Sequence, residues 1–188
     1  MTGVIVAGIV VLTGIGLVTY LIIIYNNLVS MRNHTDKAWS NIDVLLKQRY
    51  DELPKLLEVC KGYMQHERET LEAVTRARSM VAQAGSADAE LEAQNFLSQT
   101  LKSLFAVTEA YPDLKADEAF RRLGTRISQI EEQIADRREL FNEYVNIYNI
   151  RIAQFPDMLV ATRFNFSPRT LWEINPEHRR DVSINFGS

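Results

Sequence analysis

The chain has 188 residues, a formal net charge of −3 and one cysteine, and 46% of its residues are hydrophobic. This length allows one soluble domain together with a membrane anchor. The slight negative charge gives no reason to expect a nucleic-acid partner, and a lone cysteine excludes an internal disulfide bond.

The first element predicted is a transmembrane helix. Val4–Ile24 contains no charged side chain, and a helix of this length, rising about 1.5 Å per residue, covers the hydrocarbon core of a bilayer. A secretory signal peptide is the rival interpretation, but it requires a basic start, a shorter apolar run and a cleavage site between small residues. The chain lacks these features, so the sequence predicts a retained anchor over residues 1–25, with Tyr25 at the membrane interface.

The charges around the anchor predict its orientation. The stretch before the anchor has no Lys or Arg. The basic residues nearest to the anchor all follow it: Arg32, Lys37, Lys47 and Arg49. The positive-inside rule therefore predicts that the N-terminus lies outside and that the domain after this single span lies in the cytoplasm. Gly3 and Ala7 have a spacing that allows close helix contacts in lipid, although glycine is common in membrane helices for other reasons, and that second interpretation is favoured.

A long helix is predicted from Asn26 to about Ala84. Its apolar residues follow one another mostly at steps of three and four, which place side chains on one helix face: Trp39, Ile42, Leu46, Tyr50, Leu53, Leu57, Cys60, Met64, Leu71, Val74 and Val81. Pro54 allows two interpretations. The helix bends there and continues, which the constant phase of the apolar residues favours, or it ends near Arg49 and Asp51 caps a new helix.

Two further helices follow a predicted break at Gly85–Asp88, where Ser86 or Asp88 can cap the first of them. The first runs to about Ala110, and the second begins at Asp113 or Asp117 and ends before Pro156. Their predicted inward residues are Leu97, Leu101, Leu104 and Tyr111, then Phe120, Leu123, Ile127, Ile130, Ile134, Phe141, Tyr144, Tyr148, Ile152 and Phe155. This spacing is typical of a buried face or a coiled coil. The predicted fold is all-α: the anchor, then an elongated antiparallel bundle over residues 26–155, with three long helices or four if the chain reverses near Pro54.

The tail, residues 156–188, differs in composition from the bundle. It mixes aromatic with basic side chains: Phe164, Phe166, Trp172 and Phe186 with Arg163, Arg169, Arg179 and Arg180. Ser167 and Pro168 predict a short helix through Glu173. The favoured interpretation is that the aromatic residues dock on the bundle. The alternative is contact with a membrane surface or a partner.

The sequence contains no recognisable catalytic, cofactor or metal motif. His66 begins a pattern like that of a zinc-protease helix, but Thr70 stands where the second histidine is needed. None of His34, His66 and His178 has the glutamate three residues earlier that a di-iron bundle uses. Cys60 lies among apolar positions and is interpreted as a core residue. The acidic clusters are attributed to solvated or inter-helix charge networks: Glu67, Glu69, Glu131, Glu132 and Asp136. We therefore expect no catalytic, cofactor-binding or metal-binding residues, no cofactor and no enzymatic activity.

An ordered set of short motifs extends from the anchor to about Phe166. It includes Asn26, Leu28-Val29, Arg32-Asn33, Ala38-Trp39, Ile42-Asp43-Val44, Leu46-Lys47, Arg49-Tyr50-Asp51, Pro54, Lys61-Gly62-Tyr63, His66-Glu67, Ala110-Tyr111-Pro112-Asp113-Leu114-Lys115, Ile134-Ala135, Arg138, Asn142, Tyr148-Asn149 and Phe155-Pro156. Together these resemble the LemA family. The sequence departs from the usual family pattern at Leu45, Gln48 and Lys55.

The resemblance implies a bacterial inner-membrane protein with one N-terminal span and an antiparallel bundle, and it brings no established catalytic residues. It also implies two leads for partners, because the family includes a relative linked to forming magnetosome vesicles and its members are discussed beside a membrane zinc protease. Asp43, Lys47, Arg49 and Asp51 are interpreted as structural polar residues, with Asp43 and Lys47 paired along one helix face. Trp39 is interpreted as a core residue rather than an interface anchor.

These observations predict a non-enzymatic, membrane-anchored bundle that organises membrane or membrane proteins through self-association. The expected partners are the lipid bilayer and further copies of the chain, and not nucleic acid. The alternative function is an adaptor or regulator of a membrane protease, a sensor complex or another membrane protein.

Overall fold

A computed structural model of the chain describes residues 1–173, so the predictions for His178, Arg179, Arg180 and Phe186 lie outside the described residues. The described residues form six helices: α1 Thr2–Tyr63, α2 Arg68–Gln83, α3 Ala87–Thr108, α4 Pro112–Ala116, α5 Glu118–Ala153 and α6 Asp157–Arg163. The all-α fold class is confirmed.

The helices group into two compact units. Unit 1 comprises Met1–Ile42 and Arg137–Leu171, and unit 2 comprises Asp43–Asp136 together with Trp172 and Glu173. Helices α1 and α5 each contribute residues to both units. The predicted segments, with boundaries after residues 25 and 155, follow composition rather than packing, and they remain a prediction.

Unit 2 is an antiparallel bundle of the last part of α1, α2, α3 and the first part of α5. The Arg78 guanidinium lies 3.9 Å from the centre of the Tyr50 ring, which shows that α2 returns along α1. The core is formed by the predicted apolar faces and is completed by neighbouring residues: Leu53, Leu56, Leu57, Cys60, Met64, Leu71, Val74, Ala77, Leu97, Leu101, Leu104, Leu114, Phe120 and Ile127.

The structure resolves the question raised by Pro54. Helix α1 continues through Pro54, as the favoured interpretation predicted, and ends at Tyr63. The predicted single helix from Asn26 to Ala84 is wrong, because the chain reverses between Tyr63 and Arg68. The bundle therefore has four long helices, but the reversal lies after Tyr63 and not near Pro54. Periodicity did not reveal this turn, since α1 and α2 bury their apolar faces in the same core.

Two of the predicted helix caps are confirmed. The Ser86 hydroxyl accepts a hydrogen bond from the Ala89 backbone N–H at 3.3 Å and caps α3. Asp117 caps α5 through its Oδ1, which accepts from the Phe120 N–H at 2.9 Å. The short helix α4 occupies the stretch from Pro112 to Ala116, so the last long helix begins at the second of the two predicted positions.

Unit 1 pairs the first part of α1 with the last part of α5. The Trp39 and Phe141 rings lie 5.5 Å apart, and those of His34 and Tyr144 lie 5.8 Å apart, so the two helices run antiparallel. Further along the pair, helix α6 and the segment after it complete a second apolar core: Ile24, Leu28, Tyr148, Ile152, Val160, Ala161 and Phe166.

The tail departs from the prediction in one respect. Its short helix is α6, Asp157–Arg163, and Ser167–Glu173 is not helical. The Asn149 side chain forms hydrogen bonds with both backbone groups of Arg169. Its Oδ1 accepts from the Arg169 N–H at 2.9 Å, and its Nδ2 donates to the Arg169 carbonyl at 2.8 Å. These backbone groups are therefore paired without forming a helix.

Candidate functional site

The most conspicuous surface in unit 1 is the apolar start of α1. Among the described residues, α1 is the one helix that is long and apolar enough to cross a membrane. Nearly every side chain of Val4–Ile24 is exposed, and burial begins with Ile24. A continuous exposed apolar surface of this length is unfavourable in water and matches a bilayer.

The two threonine hydroxyl groups within this segment are satisfied inside the helix. The Thr13 Oγ1 donates to the Ile9 carbonyl at 2.8 Å, and the Thr19 Oγ1 donates to the Ile15 carbonyl at 2.9 Å. Because lipid offers no hydrogen-bond partners, polar groups in a spanning helix need such internal bonds. Both threonines can therefore enter hydrocarbon with their hydroxyl donors paired.

Aromatic side chains surround the position where the apolar segment ends. The Tyr25 ring lies 4.8 Å from the Phe164 ring and 5.9 Å from the Phe166 ring. The Arg32 guanidinium lies 5.4 Å from the centre of the Phe166 ring. Aromatic rings with a nearby cation are typical of the interface between hydrocarbon and water.

The interpretation of the tail aromatics as docked residues holds for Phe166 and Trp172. Phe166 is buried in the core of unit 1. In unit 2, Trp172 is buried, and its Nε1 donates to Asn95 Oδ1 at 3.0 Å. Phe164, in contrast, remains largely exposed. Trp39 is half-buried against Phe141, which agrees with a packing role.

A fully buried arginine lies within unit 2. The Arg49 side chain is 0% exposed. Its Nη1 donates to Ser98 Oγ at 2.7 Å and to Glu131 Oε1, and its Nη2 donates to Gln94 Oε1. The planar guanidinium suits this role, because its donors diverge in a fixed geometry. Arg49 thus joins α1 to α3 and α5.

Arg49 was predicted from the sequence to be a structural residue, but its network of partners was not predicted. Arg49 stands three residues after Leu46 and four before Leu53, so it occupies an apolar-face position. A charged residue on the apolar face of a helix was the signal that could have predicted its burial. Glu131 was assigned to a charge network, which is correct, but its partner is the buried Arg49. Lys47 pairs with Asp51 at 3.4 Å instead of the predicted Asp43.

Cys60 has the properties of a core residue. It is fully buried in the core of unit 2, and burial raises the pKa of its thiol to about 11. A protonated, inaccessible thiol is a poor nucleophile. Among residues 1–173, no cluster of three or more His, Cys, Asp or Glu residues is arranged to hold a metal ion. The prediction that the protein uses no cofactor and has no catalytic residues remains a prediction.

Two tyrosine–carboxylate pairs lie at the end of unit 2 where α1 meets α2. The Tyr63 hydroxyl donates to Asp117 Oδ2 at 3.0 Å, and the Tyr111 hydroxyl donates to Glu67 Oε1 at 3.1 Å. The Phe120 N–H, followed by the Tyr63 hydroxyl, lowers the pKa of Asp117. The hydrogen bond to Asp117 raises the pKa of Tyr63, and burial followed by Glu67 raises that of Tyr111.

An open cavity of about 730 Å³ lies next to these pairs. Its floor includes the buried side chains of Met64 and Leu71. Its rim includes three basic side chains, Lys61, Arg68 and Arg76, and one acidic side chain, Glu72. The groove therefore has an apolar floor, and its rim carries more basic than acidic side chains.

Comparisons with known proteins place this architecture in a family. The LemA family model matches residues 38–186. The chain is 28% identical over 160 residues to Protein LemA of Metamycoplasma hominis, covering 84% of this chain and 72% of that protein. It is 23% identical over 172 residues to Magnetosome protein MamQ 2 of Paramagnetospirillum magneticum, and 22% identical over the same length to Magnetosome protein MamQ of Magnetospirillum gryphiswaldense. Both of these alignments cover 78% of this chain and only 63% of the MamQ protein. Since the family match covers most of the chain, including the last part of α1 and all of α2 to α6, this chain belongs to the LemA family.

Proposed function

We propose that this protein is a non-enzymatic, membrane-anchored helical bundle that organises membrane or membrane proteins through self-association. In this proposal, α1 crosses the cytoplasmic membrane once with its N-terminus outside, and the bundle lies in the cytoplasm. The distribution of basic residues after the anchor supports this orientation.

The observation that carries the proposal is the construction of α1. The single helix Thr2–Tyr63 begins with an exposed apolar segment, and its last part is one of the bundle helices of unit 2. The apolar faces of the bundle helices are largely buried against one another within the chain. The exposed apolar surface of the anchor is therefore the surface that self-association would use in lipid.

Small residues give the anchor a face suited to helix contacts. Gly3, Ala7 and Gly14 share one side of α1, since they are separated by four and seven residues. Open space lies beside Gly3 and Gly14. Small residues at such positions let two helix backbones approach closely in a membrane, where packing drives association.

The relatives support the membrane-organising part of the proposal only by analogy. Three of the matched proteins are named as magnetosome proteins. This chain spans 63% of their length. The activity of those whole proteins therefore supports the proposal by analogy alone.

Cross-linking in native membranes, followed by sizing and mass spectrometry of the products, tests self-association. A ladder of homo-oligomers is expected. The double variant Ala7→Leu with Gly14→Leu should shorten the ladder, whereas Gly8→Leu with Gly16→Leu, which alters other sides of the helix, is the matched control. A protein that stays monomeric in lipid would refute self-association.

An adaptor function is the second candidate, and the groove at the α1–α2 turn favours it. The basic rim and apolar floor of the groove fit a partner segment that carries both acidic and apolar residues. Lys61→Gln with Arg76→Gln should then remove a defined partner from a pull-down, whereas Lys102→Gln, an exposed change on α3, should not. Recovery of the bait alone from native membranes would count against this function.

A further inference from the structure

The outer surface around α6 is strongly apolar. We call Phe155, Met158, Leu159, Arg163 and Phe164 the collar. The exposed fraction is 76% for Phe155 and 56% for both Leu159 and Phe164. Phe155 was predicted to point inward, but α5 ends at Ala153, so Phe155 no longer follows the helical phase. An apolar patch of this kind on a folded unit needs a partner or a lipid surface.

The charges of the collar are arranged for an anionic, apolar surface. The acidic residue within α6, Asp157, is only 2% exposed and forms an ion pair with Arg151. No carboxylate is exposed between Gln154 and Asn165, whereas Arg163 is exposed. The outward face therefore presents aromatic and aliphatic side chains together with one cation, as interfacial membrane segments do.

The position of the collar identifies the surface that it meets. The opposite face of α6, with Val160 and Ala161, packs in the same core as Ile24 and Leu28 of α1. The Phe164 ring also contacts the Tyr25 ring at 4.8 Å. The collar is thus fixed beside the residues at which the membrane-length segment of α1 ends.

We propose that the collar is immersed in the interfacial zone of the leaflet from which α1 emerges, with Arg163 among the lipid headgroups. A residue beside the end of a spanning helix lies at headgroup level, where aromatic rings and arginine are favoured. The inference rests on the proposed anchor, because the collar meets the membrane only if α1 crosses it. Lipid is favoured over a protein partner because the patch is continuous with the surface of the anchor.

Site-directed spin labelling of the full chain in vesicles of phosphatidylcholine and phosphatidylglycerol tests this proposal. Labels are placed on the collar with Phe155→Cys or Leu159→Cys, on the anchor with Leu12→Cys, and on exposed α5 with Glu139→Cys as a control. Collision rates with oxygen, which concentrates in lipid, and with a water-soluble nickel chelate give the depth of each label. The buried Cys60 is expected to label slowly, and unmodified protein gives its background.

The expected result is that the collar labels favour oxygen over the nickel chelate, to a degree between those at Leu12 and Glu139. The proposal would be overturned if the collar labels were as accessible to the chelate as the Glu139 label. If the Leu12 label were in lipid in the same experiment, the proposed anchor would still stand. A Leu12 label in water would overturn both the anchor and the collar. Leu159 labels that are shielded from both oxygen and the nickel chelate, and that show strong spin–spin broadening, would overturn it in favour of a contact between copies of the chain.

Discussion

Arg49 shows how one buried charge can hold three helices of unit 2 together. Its guanidinium contacts Gln94 and Ser98 on α3 and Glu131 on α5. Desolvation of a charge is expensive, so such a group is tolerated only when its partners are in place. The network thereby favours one register of these helices over alternatives in which the arginine would lack acceptors.

Replacing Arg49 should destabilise the bundle strongly. We expect Arg49→Met to lower the free energy of unfolding by about 3 kcal/mol, because it leaves the Glu131 carboxylate without its cation in a mostly buried site. The double variant Arg49→Met with Glu131→Leu should recover much of this loss. Urea unfolding followed by circular dichroism measures both effects.

The matched control for this experiment is Lys47→Met. Lys47 and Asp51 form an exposed ion pair two residues away from Arg49 along α1, and such pairs contribute less than about 1 kcal/mol. A loss in Arg49→Met no larger than that in Lys47→Met would show that the buried network does not stabilise the fold.

Asp117 should make the stability of the bundle depend on acid pH. Its folded pKa is lowered by the Phe120 N–H and the Tyr63 hydroxyl, so its contribution is present above the ordinary carboxyl pKa and is lost as pH falls through the lowered value. Asp117→Asn keeps a good helix cap without the charge. The melting temperature of the wild type should exceed that of Asp117→Asn near neutral pH, and the difference should shrink toward about pH 2. A difference that is constant with pH would contradict this role.

At the scale of elements, α1 is unusual because it passes through a proline. Pro54 has no backbone N–H and crowds the preceding turn, yet the helix runs unbroken from Thr2 to Tyr63. Pro54 is exposed, whereas Leu53, Leu56 and Leu57 next to it are buried. The packing of these leucines therefore offsets the cost of the proline.

Pro54→Ala should stabilise α1. Alanine restores the missing hydrogen bond, and the free energy of unfolding should rise by about 1–3 kcal/mol, within the range known for proline in helix interiors. Thermal unfolding measures the change, and Lys55→Ala, at the exposed neighbouring position, should have little effect. A fall in melting temperature for Pro54→Ala would mean that the proline geometry is needed to place Leu53 and Leu57.

The elements were predictable from sequence where one helix buries one face. The anchor, α3, the Ser86 cap and the continuation through Pro54 all followed from periodicity and capping rules. The turn after Tyr63 was not predictable, because Met64 keeps the apolar phase across it. The non-helical course of Ser167–Glu173 was also missed, because the Arg169 backbone pairs with the side chain of Asn149, which lies 20 residues earlier.

The whole molecule is proposed to sit in the membrane with its N-terminus outside. Thr2→Cys should react with a membrane-impermeant maleimide in intact spheroplasts, whereas Glu139→Cys should react only after permeabilisation. The physical reason is the distribution of Lys and Arg, which all follow the anchor. The reverse labelling pattern would place the bundle outside and contradict the proposed orientation.

At this scale the sequence carried less information. It predicted a helical fold with an anchor, because an uncharged apolar run and repeated apolar spacing have few other physical solutions. It did not predict that Arg49 is fully buried or that Phe155 is exposed, because both depend on contacts between distant segments and on where a helix ends.

Counting the copies in lipid discs extracted directly from native membranes tests self-association most directly. Mass photometry of the purified discs should show several copies of the chain per disc, and fewer copies for Ala7→Leu with Gly14→Leu than for Gly8→Leu with Gly16→Leu. One copy per disc for the unmodified protein at native abundance would contradict the proposed function.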